Sequence, residues 1–411
     1  MEEYDDVNEP ESQTGLQNLL TTYADGISMR QTELAKMIVR CINEKISPIG
    51  QTLERVAFNL FQSDENQQEE YLKQESMRHF KTAFRVFYDS FPYGRFAHFT
   101  TNSIILEAIP TRVESLHIVD FHLCEGSQWP PLIQAIARIK KSLIITSIKL
   151  DQDQDQDSQF DQTKMNLCKK FWPPFDSTRD GMTQMMKQTD QTNLTDEFMA
   201  FNCMVGLPHL GITRTTTQVK NFLKIAKRVL SKTKGIITFG DGKEGARTGN
   251  CYDFSSFFNK NLAHYNALYE SMEWGFPSHF NEGRMTMETL FVSPFIKSKS
   301  WIKKWEEGNE NMGLWKVLGL KGVKMSEEWW NEARELVKEG ESQYGIGIEG
   351  ENGNEMVLER KGTPLVKVST WVCIQDAESR YLTESIRLWG CGSRSSRRRG
   401  AEISKRISPE I

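Results

Sequence analysis

Four stretches of this chain carry residue types that do chemistry. Gly240-Asp241-Gly242-Lys243-Glu244-Gly245 has the spacing GxGxxG and comes after the apolar run 235–239. In a dinucleotide fold such glycines let the backbone approach a pyrophosphate at a helix N-terminus. The next residues, Ala246-Arg247-Thr248-Gly249-Asn250, are polar and turn-like, and the strand comes late in the chain. The stretch therefore reads as a loop, with a small anionic ligand as the alternative. His122, Cys124 and Glu125 stand together after Phe121, but no second Cys/His pair lies at zinc-ligand spacing. A Cys-His nucleophile would need His98, His209 or His264 brought from elsewhere, and no group to orient that histidine is identifiable. Asp151, Asp153, Asp155 and Asp157 alternate with Gln, yet lack the central glycine and closing glutamate of a calcium loop, so they read as a solvated linker. Arg394, Arg397, Arg398 and Arg399 form a cationic run, a candidate import signal or phosphate contact. No catalytic, cofactor-binding or metal residue is assigned.

The elements that would position these groups are legible from periodicity. Leu116, Ile118, Val119 and Phe121 make a short apolar run of the kind expected for a strand buried on both faces. Trp129-Pro130-Pro131 opens a helix, because proline is pre-set for a first helical turn. Leu132, Ile133, Ile136, Ala137 and Ile139 share one face of that helix, and a second strand is expected over 143–150. Strand, helix and strand at this spacing form a βαβ unit and imply a parallel sheet. Further strands are expected over 198–205 and 235–239, with an amphipathic helix between them. Strands over 344–349, 355–359 and 365–372 are expected at the end, the first two joined by a hairpin turn at 351–354.

Before the first strand, three helical stripes succeed one another. They are Leu16, Leu19, Leu20, Tyr23, Ile27; Leu34, Met37, Ile38, Cys41, Ile42; and Leu53, Val56, Ala57, Leu60, Phe61. Leu16-Gln17-Asn18-Leu19-Leu20 also fits LxxLL, a helix motif that docks in grooves, beside the plainer reading of core packing. The expected organisation is a polar, disordered segment 1–15, a helical cap 16–112, an α/β core 113–373 with a polar insert 151–195, and a basic, disordered tail 374–411.

Composition narrows the function classes. With 51 Lys+Arg against 55 Asp+Glu the formal charge is −4, which argues against coating nucleic acid with the whole surface and leaves a local basic patch open. No apolar run reaches the ~18 residues of a membrane helix. The acidic start, with Glu2, Glu3, Asp5 and Asp6, does not read as a secretory signal. Seven scattered cysteines without CxxC spacing read as reduced thiols of a nuclear or cytosolic protein.

Several of these stretches, in this order, resemble the plant GRAS transcriptional regulators. Leu116-His117-Ile118-Val119-Asp120, with Gln128-Trp129-Pro130 after it, resembles the VHIID signature. The run 96–102 resembles the segment before it, 284–305 occupies the place of the RVERH-like segment, and Ser369-Thr370-Trp371 resembles the closing SAW motif. The stretches 200–209 and 235–242 resemble one branch of the family, the nodulation-signalling-pathway-2 type. The resemblance runs from about Leu16 to Trp371. It implies a Rossmann-like, methyltransferase-like sheet with helices on both faces, a helical cap, a C-terminal antiparallel hairpin and no catalysis. It also implies a nuclear location and pairing with another GRAS protein and other transcription factors, with DNA contacted indirectly or through a dimer, in symbiotic signalling. Leu16, Leu19, Leu20, Leu34 and Ile38 are the partner-contact candidates; Leu116, Ile118, Val119, Asp120 and Trp129 are expected to hold the core. One alternative is a small-molecule sensor or S-adenosylmethionine-dependent methyltransferase. Another is a divergent family member, since 151–195 matches the family's second leucine-rich helix poorly and the resemblance stops past Cys373.

Overall fold

Strand β1 (Ser115–Asp120) lies within a sheet whose order is β3-β2-β1-β4-β5-β9-β8-β7. The computed structural model describes residues 9–62, 67–121, 123, 126–149, 175–181, 197–206, 215–242, 251, 253–306 and 318–373. His122, Cys124, Glu125, His209, the aspartates at 151–157 and the arginines at 394–399 lie outside them.

Four helices come first: α1 (Glu9–Ser28), α2 (Thr32–Asn43), α3 (Thr52–Phe61) and α4 (Gln67–Ser90). Helix α5 (Pro92–Ala108) leads into β1, which is succeeded by α6 (Trp129–Arg138), β2 (Ser142–Lys149) and β3 (Phe175–Gly181). Then come β4 (Glu197–Val205), α7 (Thr216–Leu230), β5 (Lys234–Asp241) and α8 (Phe254–Gly275). Helices α9 (Asn281–Met287) and α10 (Ser298–Glu306), β6 (Leu320–Gly322), α11 (Glu327–Val337), β7 (Tyr344–Glu349), β8 (Glu355–Arg360) and β9 (Thr363–Cys373) complete the order. Two compact units divide the chain. One takes residues 1–92, 243–312 and 363–365; the other takes 93–242, 313–362 and 366–411.

The second unit is an α/β, Rossmann-like layer structure. Its β1 pairs in parallel with β2 on one side and β4 on the other, placing Ile118 opposite Ile145 and Ala200. Being an inner strand, β1 buries Leu116, Ile118 and Val119 completely, with His117 half-buried between the first two. Strand β9 runs antiparallel to β5, and β7 and β8 form an antiparallel pair beyond it. The turn between β8 and β9 has Lys361 at φ 47° and Gly362 at φ 79°, the left-handed pair that suits a two-residue hairpin. Helix α7 is started by a reciprocal cap between Thr215 and Gln218, then lays Phe222, Leu223, Ala226, Val229 and Leu230 on the sheet. There the Phe222 ring meets Phe121 at 4.7 Å. Strand β3 lies inside the stretch read as a polar insert. It pairs with β2 through backbone from Leu143↔Phe175 to Lys149↔Gly181, a ladder that needs no apolar alternation and so left no periodic signal.

The first unit is helical. Helix α8 buries Phe254, Phe257, Phe258, Leu262, Tyr265, Leu268, Tyr269 and Met272, too wide an arc for a surface helix, and forms the interior of the unit. Tyr23 of α1 packs edge-on to Phe61 at 4.9 Å and meets Phe258 at 5.6 Å. On α2 the buried face is Ala35, Ile38 and Ile42, while Leu34, Met37 and Cys41 point outward, so this helix has two apolar faces. Among the described residues no helix is long and apolar enough to cross a membrane.

Candidate functional site

In an open α/β sheet the strand order reverses between β1 and β4, and ligands of such folds sit beyond the C-terminal ends of those strands. At the strand ends leading to that place, the unit's own polar side chains bond to one another. Asp120 ends β1 and is 2 % exposed; Asn202 of β4 and Thr238 of β5 are fully buried. Asn202 Nδ2 donates to Asp120 Oδ1 at 2.7 Å and to Gln128 Oε1 at 3.1 Å. Its Oδ1 accepts from Thr238 Oγ1 at 3.0 Å. Gln128, one residue ahead of α6, donates from Nε2 to Asn102 Oδ1 of α5 at 3.3 Å, and Asn102 Nδ2 donates to the Gln128 carbonyl at 2.7 Å. A buried amide without partners costs about 1–3 kcal/mol. This network instead gives the Asn202, Gln128 and Asn102 amides partners in one another and in Asp120 and Thr238. It locks β1, β4, β5, α5 and the start of α6 together.

The described residues beside these strand ends are closely packed as well. Gly126, at φ 70°, turns the chain after β1, and its carbonyl accepts from Trp129 N at 3.1 Å, drawing Trp129 inward until it is 1 % exposed. Tyr93 Oη donates to the Gly242 carbonyl at 2.6 Å. A Cβ at Gly242 would lie 2.3 Å from the Gly206 oxygen and 2.4 Å from the Tyr93 hydroxyl. A Cβ at Gly240 would lie 2.3 Å from Met204 Sδ. These two glycines of the GxGxxG spacing are thus accounted for by close packing of strand ends; residues 243–245 lie outside the described set. Among the described residues no group of three His, Cys, Asp or Glu is arranged to hold a metal.

The remaining expected residues are placed individually. His117 is half-buried; its Nε2 shares a 2.8 Å hydrogen bond with Thr146 Oγ1, and the hydrogen bond from His117 lowers the carboxyl of Glu197. Ser369 and Thr370 are buried at the β9 register that faces β5, and Trp371 Nε1 donates to Ser369 Oγ at 2.9 Å. Leu16, Leu20 and Ile38 are buried in the helical unit, Leu19 is half-buried, and Leu34 is exposed. His98 is buried on α5, and buried His264 shares a 3.0 Å hydrogen bond with the Pro364 carbonyl.

Two polar clusters were not legible as such. Asn202 has a clear signal, an amide inside the apolar run Phe198-Met199-Ala200-Phe201-Asn202-Cys203, but its partners are distant in sequence. The second cluster lies in the helical unit. Arg55, 3 % exposed, donates to Glu273 at 2.6 Å and Glu288 at 3.1 Å. Arg284 pairs with Glu288 at 2.7 Å and Glu273 at 3.3 Å. Burial pushes the Glu288 carboxyl up against the downward pull of Arg55 and Arg284. The i,i+4 spacing of Arg284 and Glu288 was the one available hint. In the sheet unit, Glu107 of α5 and Glu332 of α11 are each raised to about 7, first by burial and then by the neighbouring carboxylate Glu328.

Known proteins match this chain along most of its length. Protein NODULATION SIGNALING PATHWAY 2 of Medicago truncatula is 28% identical over 305 residues, covering 71% of this chain and 58% of that protein. The protein of the same name from Lotus japonicus is 28% identical over 311 residues, covering 72% of this chain and 60% of that protein. The chain thus spans less than two thirds of the length of these relatives. The crystal structure of SCL7 from Oryza sativa, 20% identical, superposes with a TM-score of 0.64 over 87% of this chain and 99% of that one, a likeness of fold. The model of the GRAS domain family matches residues 16–372, and the chain belongs to that family.

Proposed function

We propose that this chain is a non-catalytic transcriptional regulator of the nucleus that works by associating with another GRAS protein, in symbiotic signalling. The observation that carries the reading is the match of the GRAS domain family over residues 16–372. In addition, Asn202, Gln128, Asn102, Thr238 and Asp120 spend their donors and acceptors on one another at the strand ends. Family membership and relatives named for nodulation signalling support the rest.

Within the helical unit, the second apolar face of α2 is the proposed contact, with Leu34 37% and Met37 55% exposed. Leu16, Leu20 and Ile38 then act indirectly, by shaping the helices that present it. Arg394, Arg397, Arg398 and Arg399 are proposed as the import signal.

The chain tethered to a reporter promoter through a separate DNA-binding module should change transcription of that reporter. An unchanged reporter would refute the regulatory reading. The double substitution Leu34→Asp, Met37→Asp should abolish capture of a co-expressed GRAS partner with the melting temperature preserved. Capture by the folded variant would remove α2 from the interface.

A further inference from the structure

We propose that Met37 is a modification site, at which a peroxide converts the thioether to a sulfoxide and so weakens the hold of α2 on its partner; the inference rests on the α2 contact proposed above. Leu34, Met37 and Cys41 share the outward face of the helix, at i, i+3 and i+7. Met37 is 55% exposed, more than Leu34 beside it, and Cys41 is an exposed free thiol. The inward face is Ala35, Ile38 and Ile42, all buried. Both sulfur atoms of α2 therefore stand on the face that meets solvent, and the face that packs is hydrocarbon alone.

This partition sets what oxidation does. Hydrogen peroxide delivers an oxygen atom to the thioether: a sulfur lone pair forms the S–O bond, the O–O bond breaks and water leaves. Sulfur is oxidised and the peroxide oxygen is reduced. The product is polar and chiral where the thioether was apolar and flexible. On the inward face such a change would open the core. At Met37 it leaves the packing of Ile38 and Ile42 against α1 and α3 as it was. What changes is the contact, where a sulfoxide oxygen shut away from water without a donor is costly. Sulfoxide reductases remove that oxygen, so the change is reversible. The other methionines divide by exposure in the same sense. Met29 and Met77 are more than half exposed, whereas Met199, Met272, Met287 and Met356 are buried. Limited peroxide thus reaches Met37 before it reaches the core.

The test uses the full chain and hydrogen peroxide. The chain alone is treated, and excess peroxide is removed. Dithiothreitol then returns sulfenic acids and disulfides to thiols, so that sulfoxides remain as the difference. Peptide mass spectrometry should find an added oxygen on Met37 while Met272, Met287 and Met356 stay unmodified. The melting temperature should be preserved. Affinity for an untreated GRAS partner should fall by about tenfold or more, the loss expected when one well-packed Met side chain leaves a contact. Methionine sulfoxide reductases A and B together should restore it. The variant Met37→Leu should capture equally before and after treatment, whatever its starting level. A chain oxidised at Met37 that captures as well as the untreated chain overturns this inference alone. So does an equal peroxide-induced loss in Met37→Leu, or a Met37 that remains a thioether while Met77 is oxidised. An untreated chain that captures no GRAS partner overturns the α2 contact itself, and the inference with it.

Discussion

One polar cluster in each unit is built in the opposite way from the other. The helical unit holds full charges, Arg55 and Arg284 against Glu273 and Glu288, on helices far apart in sequence. The strand-end cluster of the sheet unit holds neutral amides and hydroxyls around the carboxylate of Asp120, while the same unit pairs Lys367 with Glu349 and Glu355 elsewhere. The difference teaches where specificity comes from in each. Strand register already positions Asp120, Asn202 and Thr238 through backbone pairing, so weak, directional amide bonds suffice. Helices have no backbone ladder between them, and here Arg55 and Arg284 each reach both Glu273 and Glu288, tying α3, α8 and α9 to one another.

The largest effect should come from breaking the charged cluster. Arg55→Met leaves Glu288 buried with one guanidinium fewer and should lower stability by about 3–5 kcal/mol in denaturant unfolding. Adding Glu288→Gln should recover part of that loss, because the uncompensated charge is gone. If Arg55→Met were neutral, the cluster would be no more than a surface network.

The amide cluster should be less sensitive. Asn202→Leu leaves Asp120 Oδ1 and the Gln128 amide without their central partner and should cost about 2–3 kcal/mol. Asn202→Asp is the sharper probe: it sets a second carboxylate where an amide donated to Asp120 at 2.7 Å. Its destabilisation should deepen as pH rises through the carboxylate range. A loss independent of pH would show that Asp120 does not face position 202 in solution.

The smallest effect concerns pH alone. Glu107 and Glu332 have raised folded-state values of about 7. The folded state therefore binds more protons than the unfolded one over this range. The stability these groups contribute is fully present below the unfolded value near 4.3 and is lost as pH rises through about 7. Glu107→Gln should accordingly stabilise by about 1 kcal/mol at pH 8, after allowance for partial exposure, and by almost nothing at pH 4. Equal gains at both pH values would rule out titration as the cause.

Legibility in the sequence depends on which forces act locally. The strand at 116–121, the Pro-initiated helix after it and the amphipathic 216–230 helix all announce themselves, because a buried run or stripe is a property of neighbouring residues. Edge strand β3 did not, since its ladder is made by backbone and its sequence, Phe175-Asp176-Ser177-Thr178-Arg179-Asp180-Gly181, shows no alternation. On α2, periodicity gave the single stripe Leu34, Met37, Ile38, Cys41 and Ile42. Packing against α1 and α3 decided that Ile38 and Ile42 turn inward and Leu34 and Met37 outward.

The candidate site divides the same way. That Asp120 ends a buried strand was readable, and so was the anomaly of an amide at 202 inside an apolar run. That Asn102, Gln128, Asn202 and Thr238 close on one another was decided by the sheet order β2-β1-β4-β5, which brings together residues up to 136 apart in the chain. Local pattern encoded the periodic elements and the ordered motifs that mark the family. Tertiary packing decided that Asp120, Asn202 and Gln128 bond to one another at the strand ends and that Gly240 and Gly242 answer to strand packing. Hydrogen bonds and close contacts between distant residues depend on a few tenths of an ångström, and no local pattern encodes that.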